Sequence, residues 1–333
     1  MADRRPRKIP VTELSMRVFF ALLLLLSPLA ASAQPFPSKP ITLVVPFAPG
    51  GPAEAVARIV VQPMEEILNQ RIIIEPKPGA GGNIGAQYVA KQSKPDGYTL
   101  FFGSTTLASS VSLMKVNYDA RKDLVPVAGI GILPNLVITG PSTSYKTLAD
   151  VVAAAKAKPG TLTFGSSGPG TGSHLAGELF QAAAGINLIH VPYKGSAAVI
   201  ADLIAGRVDL LFELQSSAIG RVKAGQVRAL ATTAARRAPV LPDVPTVAES
   251  GYPGFETGAW NGYFVPAGTP PDIVAKLEEA TIKALRTEYV KQRFEESSVL
   301  PIPESAAAFG KYFEADIDKW AKLVREGRLK VIE

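Results

Sequence analysis

A chain of 333 residues exceeds one small module and, at roughly 150 residues per domain, suggests about two domains. Hydrophobic residues make up 47% and charged residues 19%, so a sizeable core can form and the composition argues against wholesale disorder. There is no cysteine, and the histidines are His174 and His190 alone. That excludes a disulfide scaffold, a thiolate metal site, a cysteine nucleophile and a His-rich catalytic zinc site.

In chain order, Arg4, Arg5, Arg7, Lys8 and Arg17 precede an apolar run over 18–26, then Ala31-Ser32-Ala33. This is the order of a secretory signal peptide, and the run falls short of the ~20 residues of a membrane span. Cleavage is expected after Ala33, so that residues 1–33 are a leader and Gln34 starts the mature, exported chain. Met16 is an alternative start. The leader holds five basic and two acidic side chains, so the formal +6 falls to +3 on its removal. A charge that slight and scattered is no nucleic-acid footprint.

Strands and helices then alternate, which predicts an α/β protein with parallel sheet. The first strand is expected over 41–45, then the turn Pro46-Phe47-Ala48-Pro49-Gly50-Gly51. A helix from Pro52 follows, carrying Val56, Ile59, Val60, Met64, Ile67 and Leu68 on one face, with Pro63 kinking or splitting it. Next come a strand over 71–75, a glycine-rich loop, a helix capped by Asn83 and running through Lys91, and a strand over 99–103 ending in Ser104-Thr105-Thr106. A second series is expected as a strand at 136–139, a helix at 148–156 and a strand at 161–165. It continues with the loop from Ser166 to Ser173, a helix at 174–184, strands at 188–191 and 208–212 around a helix at 197–205, and a strand at 227–232. Two long surface helices, 272–296 and 304–326, close the chain.

Ligands of such sheets lie outside the carboxyl ends of the strands, where this sequence concentrates Gly, Ser, Thr and Pro. The loops 47–51, 103–106 and 165–173 contain no Lys, Arg, Asp, Glu, Cys or His. They offer backbone N–H groups, hydroxyls and helix N-termini, a design for holding an anion without a formal positive charge. Catalytic motifs fail one by one. In Gly165-Ser166-Ser167-Gly168-Pro169 a proline replaces the last glycine of the hydrolase elbow. Gly310-Lys311 is followed by Tyr312, so there is no P-loop, and no H-E-x-x-H or calcium loop occurs. No cofactor or metal is expected.

Five segments carry a resemblance: Pro46-Phe47-Ala48-Pro49-Gly50-Gly51-Pro52, Pro78-Gly79-Ala80-Gly81-Gly82-Asn83-Ile84-Gly85, Pro95-Asp96-Gly97-Tyr98-Thr99-Leu100, His190-Val191-Pro192-Tyr193-Lys194-Gly195 and Pro266-Ala267-Gly268-Thr269-Pro270. In this order, over nearly the whole mature chain, they resemble the Bug family, the extracytoplasmic solute receptors of tripartite tricarboxylate transporters. The resemblance implies a two-lobed periplasmic-binding-protein fold of the Venus-flytrap type, closing on a small carboxylate held largely by main-chain amides and ordered water. Lobe 1 is expected over 34–134 plus 262–333 and lobe 2 over 135–261. Carried over, the ligand-binding residues are Phe47, Ala48, Pro49, Gly50, Gly51, Ser104 and Thr105 on one side. Ser166, Ser167, Gly168, Gly170, Thr171, Ser173 and Glu213 face them from the other. Glu54 and Glu213 stand where the family usually has Asp, which reduces the pocket or favours a ligand with an amine. The implied protein is a periplasmic monomer serving membrane permease subunits and touching no nucleic acid. Two other readings are a receptor that docks on a membrane sensor, and an exported hydrolase using Ser166 or Ser167.

Overall fold

The computed structural model describes residues 35–302, 304–327 and 329–331. The expected leader lies outside them. Residues 39–333 form one unit, to which the following description applies.

The first half is a run of strand–helix units: β1 (Ile41–Val45), α1 (Pro52–Leu68), β2 (Ile72–Pro76), α2 (Asn83–Gln92), β3 (Thr99–Ser104) and α3 (Thr105–Leu113). β1 pairs in parallel with β2 and β3. The sixteen-residue β4 (Leu124–Thr139) follows, then α4 (Leu148–Ala157). The second half repeats the pattern in β5 (Thr163–Ser166), α5 (Gly172–Ala184), β6 (Ile189–Pro192), α6 (Ser196–Ile204), β7 (Leu210–Leu214), α7 (Gln215–Lys223) and β8 (Arg228–Thr232). β9 (Gly258–Pro266) returns to the first half, followed by α8 (Pro271–Leu285), α9 (Glu288–Glu296) and α10 (Ala306–Arg325). The sheet order is β2-β1-β3-β9-β4-β7-β5-β6, with β8 also on β4.

The position of β4 governs the architecture. Its first part pairs antiparallel with β9, from Leu124 opposite Pro266 to Pro134 opposite Gly258. Its last part pairs antiparallel with β7, from Asn135 opposite Leu214 to Thr139 opposite Leu210. β9 is antiparallel to β3, with Ser104 opposite Asn261, so β4 leaves the first half at the carboxyl end of β3. It enters the second half at the carboxyl end of β7. The carboxyl ends of two parallel sheets therefore lie toward one crossover.

In the second half, β4 is buried on both faces: Val137 joins Phe164, Phe180 and Phe212 on one side, and Leu136 and Ile138 join Val199, Leu203 and Leu211 on the other. Such two-sided burial explains the continuous apolar run. The first half is closed by α10, whose Phe309, Phe313 and Trp320 pack against Trp260 and Phe264 of β9. The bare backbone of Gly262 permits this approach, because a Cβ there would stand 2.1 Å from the Phe309 ring. One buried carboxylate pins the contact: Asp316 Oδ2 accepts from the indole N–H of Trp260 at 2.8 Å and of Trp320 at 3.0 Å, while Lys319 Nζ lies 2.6 Å from Oδ1.

Several expectations are corrected. The strand expected at 136–139 begins at Leu124. The segment 124–135 carries Pro126, Gly129, Gly131 and Pro134, poor strand formers, and the register shifts between Pro126 and Ala128 and between Gly129 and Gly131 accommodate the first three. Pro63 does not split α1, which runs unbroken from Pro52 to Leu68. The helix expected over 272–296 is two helices, because Thr287 caps a new start by accepting from the Val290 N–H. Asn83 is inside α2 rather than its cap: Gly82 holds that place, and the Asn83 amide oxygen is taken by the Tyr118 hydroxyl at 2.6 Å. α3 and α7 were not foreseen, since Thr- and Ser-rich stretches have weak helix propensity; burial of every α3 residue but Val111 and Ser112 overrides it.

Replacing Asp316 by Ala strands two buried indole donors, and the expected loss is on the order of 3 kcal/mol. Asp316→Asn, which keeps an acceptor, is expected to cost less than half of that in denaturant unfolding.

Candidate functional site

Six helices directly follow a parallel strand: α1, α2, α3, α5, α6 and α7. Not one has a side-chain N-cap. By contrast α4, α9 and α10 are capped by Thr147, Thr287 and Ser305. A helix start carries unsatisfied donors and about half a positive charge. The uncapped starts stand at the carboxyl edges that the crossover turns together, where an external anion can do what a cap does elsewhere.

The first loop, Phe47 to Gly51, leads from β1 into α1. Ala48, Pro49 and Gly50 are exposed and Phe47 and Gly51 half-buried. Its shape is held by Glu54, whose Oε2 accepts from the Gly50 N–H at 2.7 Å and whose Oε1 accepts from Arg58 Nε at 2.8 Å. The Gly50 hydrogen bond and then Arg58 hold the Glu54 carboxyl below the usual range. The extra methylene at this position thus points the carboxylate back into its own loop.

The second loop leads from β5 into α5 and is tied by its own hydroxyls. The Ser167 N–H donates to Ser173 Oγ at 3.0 Å, and Thr171 Oγ1 donates to the Gly168 carbonyl at 2.6 Å. The Gly170 N–H donates to His174 Nδ1 at 3.1 Å; that nitrogen is therefore unprotonated, and Nε2 carries the hydrogen 3.6 Å from Glu178. Ser166 is fully buried, with its Oγ 2.7 Å from His190 Nε2 and accepting from the Gly168 N–H at 3.2 Å. His190 stacks on both Phe164 and His174, at 4.9 and 4.0 Å between ring centres, and those two rings are 6.4 Å from each other. Burial, and secondarily His174, pulls its pKa down to about 4. This Ser–His contact fastens β6 to the loop and leaves the Ser166 hydroxyl fully buried.

The two loops meet. A Cβ on Gly81, beside the first loop, would stand 3.2 Å from Thr106 and 3.7 Å from the Pro169 carbonyl of the second half. One on Gly172 would stand 3.0 Å from Ala259 of β9. Leu175 of α5 belongs to the core that holds Trp260.

The remaining candidates divide. Ser104 lines a small pocket beside Gly81, Asn83 and Thr106. Thr105 is spent on the frame, its Oγ1 accepting from the Trp260 N–H at 2.9 Å. Glu213 lies at the carboxyl end of β7 and is 1% exposed, taking the Ser217 hydroxyl. Burial pushes its carboxyl above the ordinary range, opposed by Ser217, Ser196 and Arg221. Sequence reasoning missed the Gly81–Pro169 approach; the glycine cluster 79–82 was its visible trace.

The family model of the tripartite tricarboxylate transporter family receptor matches residues 56–329. Protein BugT of Bordetella pertussis is 35% identical over 303 residues, covering 90% of this chain and 93% of its own. Among solved structures, an R. palustris protein with adipate is 35% identical at a TM-score of 0.80, covering 87% of this chain and 97% of its own. MatC from Rhodopseudomonas palustris with bound malate is 34% identical at 0.78, covering 87% and 100%.

The His190 ring, followed by NMR, is expected to titrate near pH 4. Its folded value lies below the ordinary 6.5, so the unfolded chain takes up the proton first and stability falls as pH drops from about 6.5 to about 4. A fluorophosphonate serine probe is expected to leave Ser166 and Ser167 unlabelled by mass spectrometry.

Proposed function

The chain belongs to the tripartite tricarboxylate transporter receptor family, and from that premise we propose that it is an exported, periplasmic receptor. Its two lobes close on a small organic carboxylate and present it to the membrane subunits of such a transporter. The observation that carries this reading is the set of uncapped helix starts at the facing carboxyl edges. Two relatives of the same fold were solved with adipate and malate, both carboxylates. Among the described residues no helix is long and apolar enough to cross a membrane, in keeping with a receptor that meets its partner at a surface.

Of the half-buried or exposed members of the two loops we assign direct contact to Phe47, Ala48 and Gly51 on one side and Ser167 and Thr171 on the other, setting aside Pro49, which has no N–H, and Gly50, whose N–H is taken by Glu54. Ser104 lines the floor between them. Ser166, Ser173, Gly168 and Gly170 hold the second loop in shape. Glu213 is buried beneath the starts of α6 and α7, where burial favours its neutral form and ionisation would set a negative charge at the carboxyl end of β7. Such a charge disfavours a third carboxylate nearby and suits a ligand bearing an amine or a neutral tail. We divide the lobes at 34–134 with 258–333 and at 135–257, moving the expected return from residue 262 to 258, a division that the pairing of Pro134 with Gly258 supports.

The test is a thermal-shift screen of the protein from Gln34 onward against adipate, malate, tricarboxylates, aromatic carboxylates and amino acids. A ligand at a hundredfold its Kd stabilises by about 2.7 kcal/mol, and at least one carboxylate is expected to do so. Combining Ser167→Ala with Thr171→Val is expected to weaken that ligand about tenfold. Silence across the panel would overturn the proposal.

A further inference from the structure

A second cavity, sharing no residue with the cleft loops, lies against the crossover and has a volume of about 380 Å³. That is within the range of small-molecule sites. Ile130 and Pro134 of β4 form part of its wall, and both halves contribute: Gln215, Ala234 and Arg236 to Pro239 from the second, Leu285, Phe294 and Ser298 to Leu300 from the first.

Its polar groups are arranged unlike those of an ordinary surface groove. Ser298 is buried, adopts a left-handed φ of 54°, and its hydroxyl has no hydrogen-bond partner among the described residues. An unmet buried hydroxyl and a non-glycine residue in that conformation are each unfavourable, and both fall on one residue of the cavity wall. The wall carries four cations, Arg236, Arg237, Arg286 and Lys291, against Glu295 and Glu304. Arg237 is held by Glu249 at 2.9 Å, Arg286 by Glu304 at 3.2 Å and Lys291 by Glu288 at 2.7 Å. Arg236 is exposed and has no carboxylate partner among the described residues. The rest of the wall is apolar, chiefly Leu285, Phe294, Val299 and Leu300.

We propose that this cavity is a second binding site, for a small organic acid with a hydrocarbon body. The hydrocarbon lies on Leu285, Phe294 and Leu300, and the carboxylate meets the Arg236 guanidinium and the Ser298 hydroxyl. A neutral ligand would leave the Arg236 guanidinium without a counter-charge, and a polyanion would find no second unpaired cation beside Arg236 and would face Glu295 of the same wall. The proposal stands independently of the cleft and its ligand.

The test is titration of the ¹⁵N-labelled mature protein with sodium hexanoate, following the amides of Ala234, Ala238 and Leu300 beside those of Gly51 and Ser167. Saturable shifts are expected at the first group. Binding of 1-hexanol there is expected to be at least tenfold weaker, and Arg236→Glu, at an exposed position, to weaken hexanoate at least tenfold with an unchanged spectrum elsewhere. Ser298→Ala is expected to weaken it less. Shifts confined to Gly51 and Ser167 would overturn the proposal and leave the cleft reading intact, as would equal binding of hexanol or an unaltered affinity in Arg236→Glu.

Discussion

A single strand with two sets of partners decides what the rest of the molecule can do. β4 hydrogen-bonds to β9 up to Pro134 and to β7 from Asn135, and both pairings are antiparallel. Chain direction then leaves no freedom: the carboxyl edge of one parallel sheet is turned toward that of the other. Asn135, at the change of partners, is fully buried and donates from its side chain to the Phe212 carbonyl at 3.0 Å, while its N–H donates to Thr233 Oγ1 at 2.8 Å. The crossover is thus fastened to β7 and to the chain beyond β8, although two residues form it.

Electrostatics follows from that geometry. Of the helices elsewhere in the described chain, α4, α9 and α10 satisfy a first-turn N–H with Thr or Ser and α8, which opens with Pro270 and Pro271, does not, whereas none of those opening on the crossover has a side-chain cap. Omitting a cap costs of order 1 kcal/mol at each site, so the pattern trades stability for donors held toward a ligand. Hydroxyls of the second loop bond among themselves and fix its backbone, which keeps those donors in place before any ligand arrives.

The alternation of strands and helices was legible because parallel strands buried on both faces read as plain apolar runs, as at 41–45 and 99–103. The charge-free loops were legible for the same chemical reason that they matter, the lack of any ionisable side chain. What could not be read is non-local. Pro126 and Pro134 lack the N–H of a strand residue, and their place in a long strand depends on its irregular pairing with β9. The close passage of Gly81 by Pro169 joins residues far apart in the chain. Thr105 and Glu213 show the same limit: their side-chain types suited a binding site, but the partners that claim them, the Trp260 amide and Ser217, come with the fold.

The two tryptophans of the chain both donate to Asp316 and so occupy one spot in the core of the first half. The second half has no indole of its own. Intrinsic tryptophan emission is therefore a one-sided lamp: it lights the half built around α10 and leaves the other dark. If the halves come apart in separate steps, a tryptophan-monitored melt follows the first alone, and tyrosine or amide signals are needed to see the second.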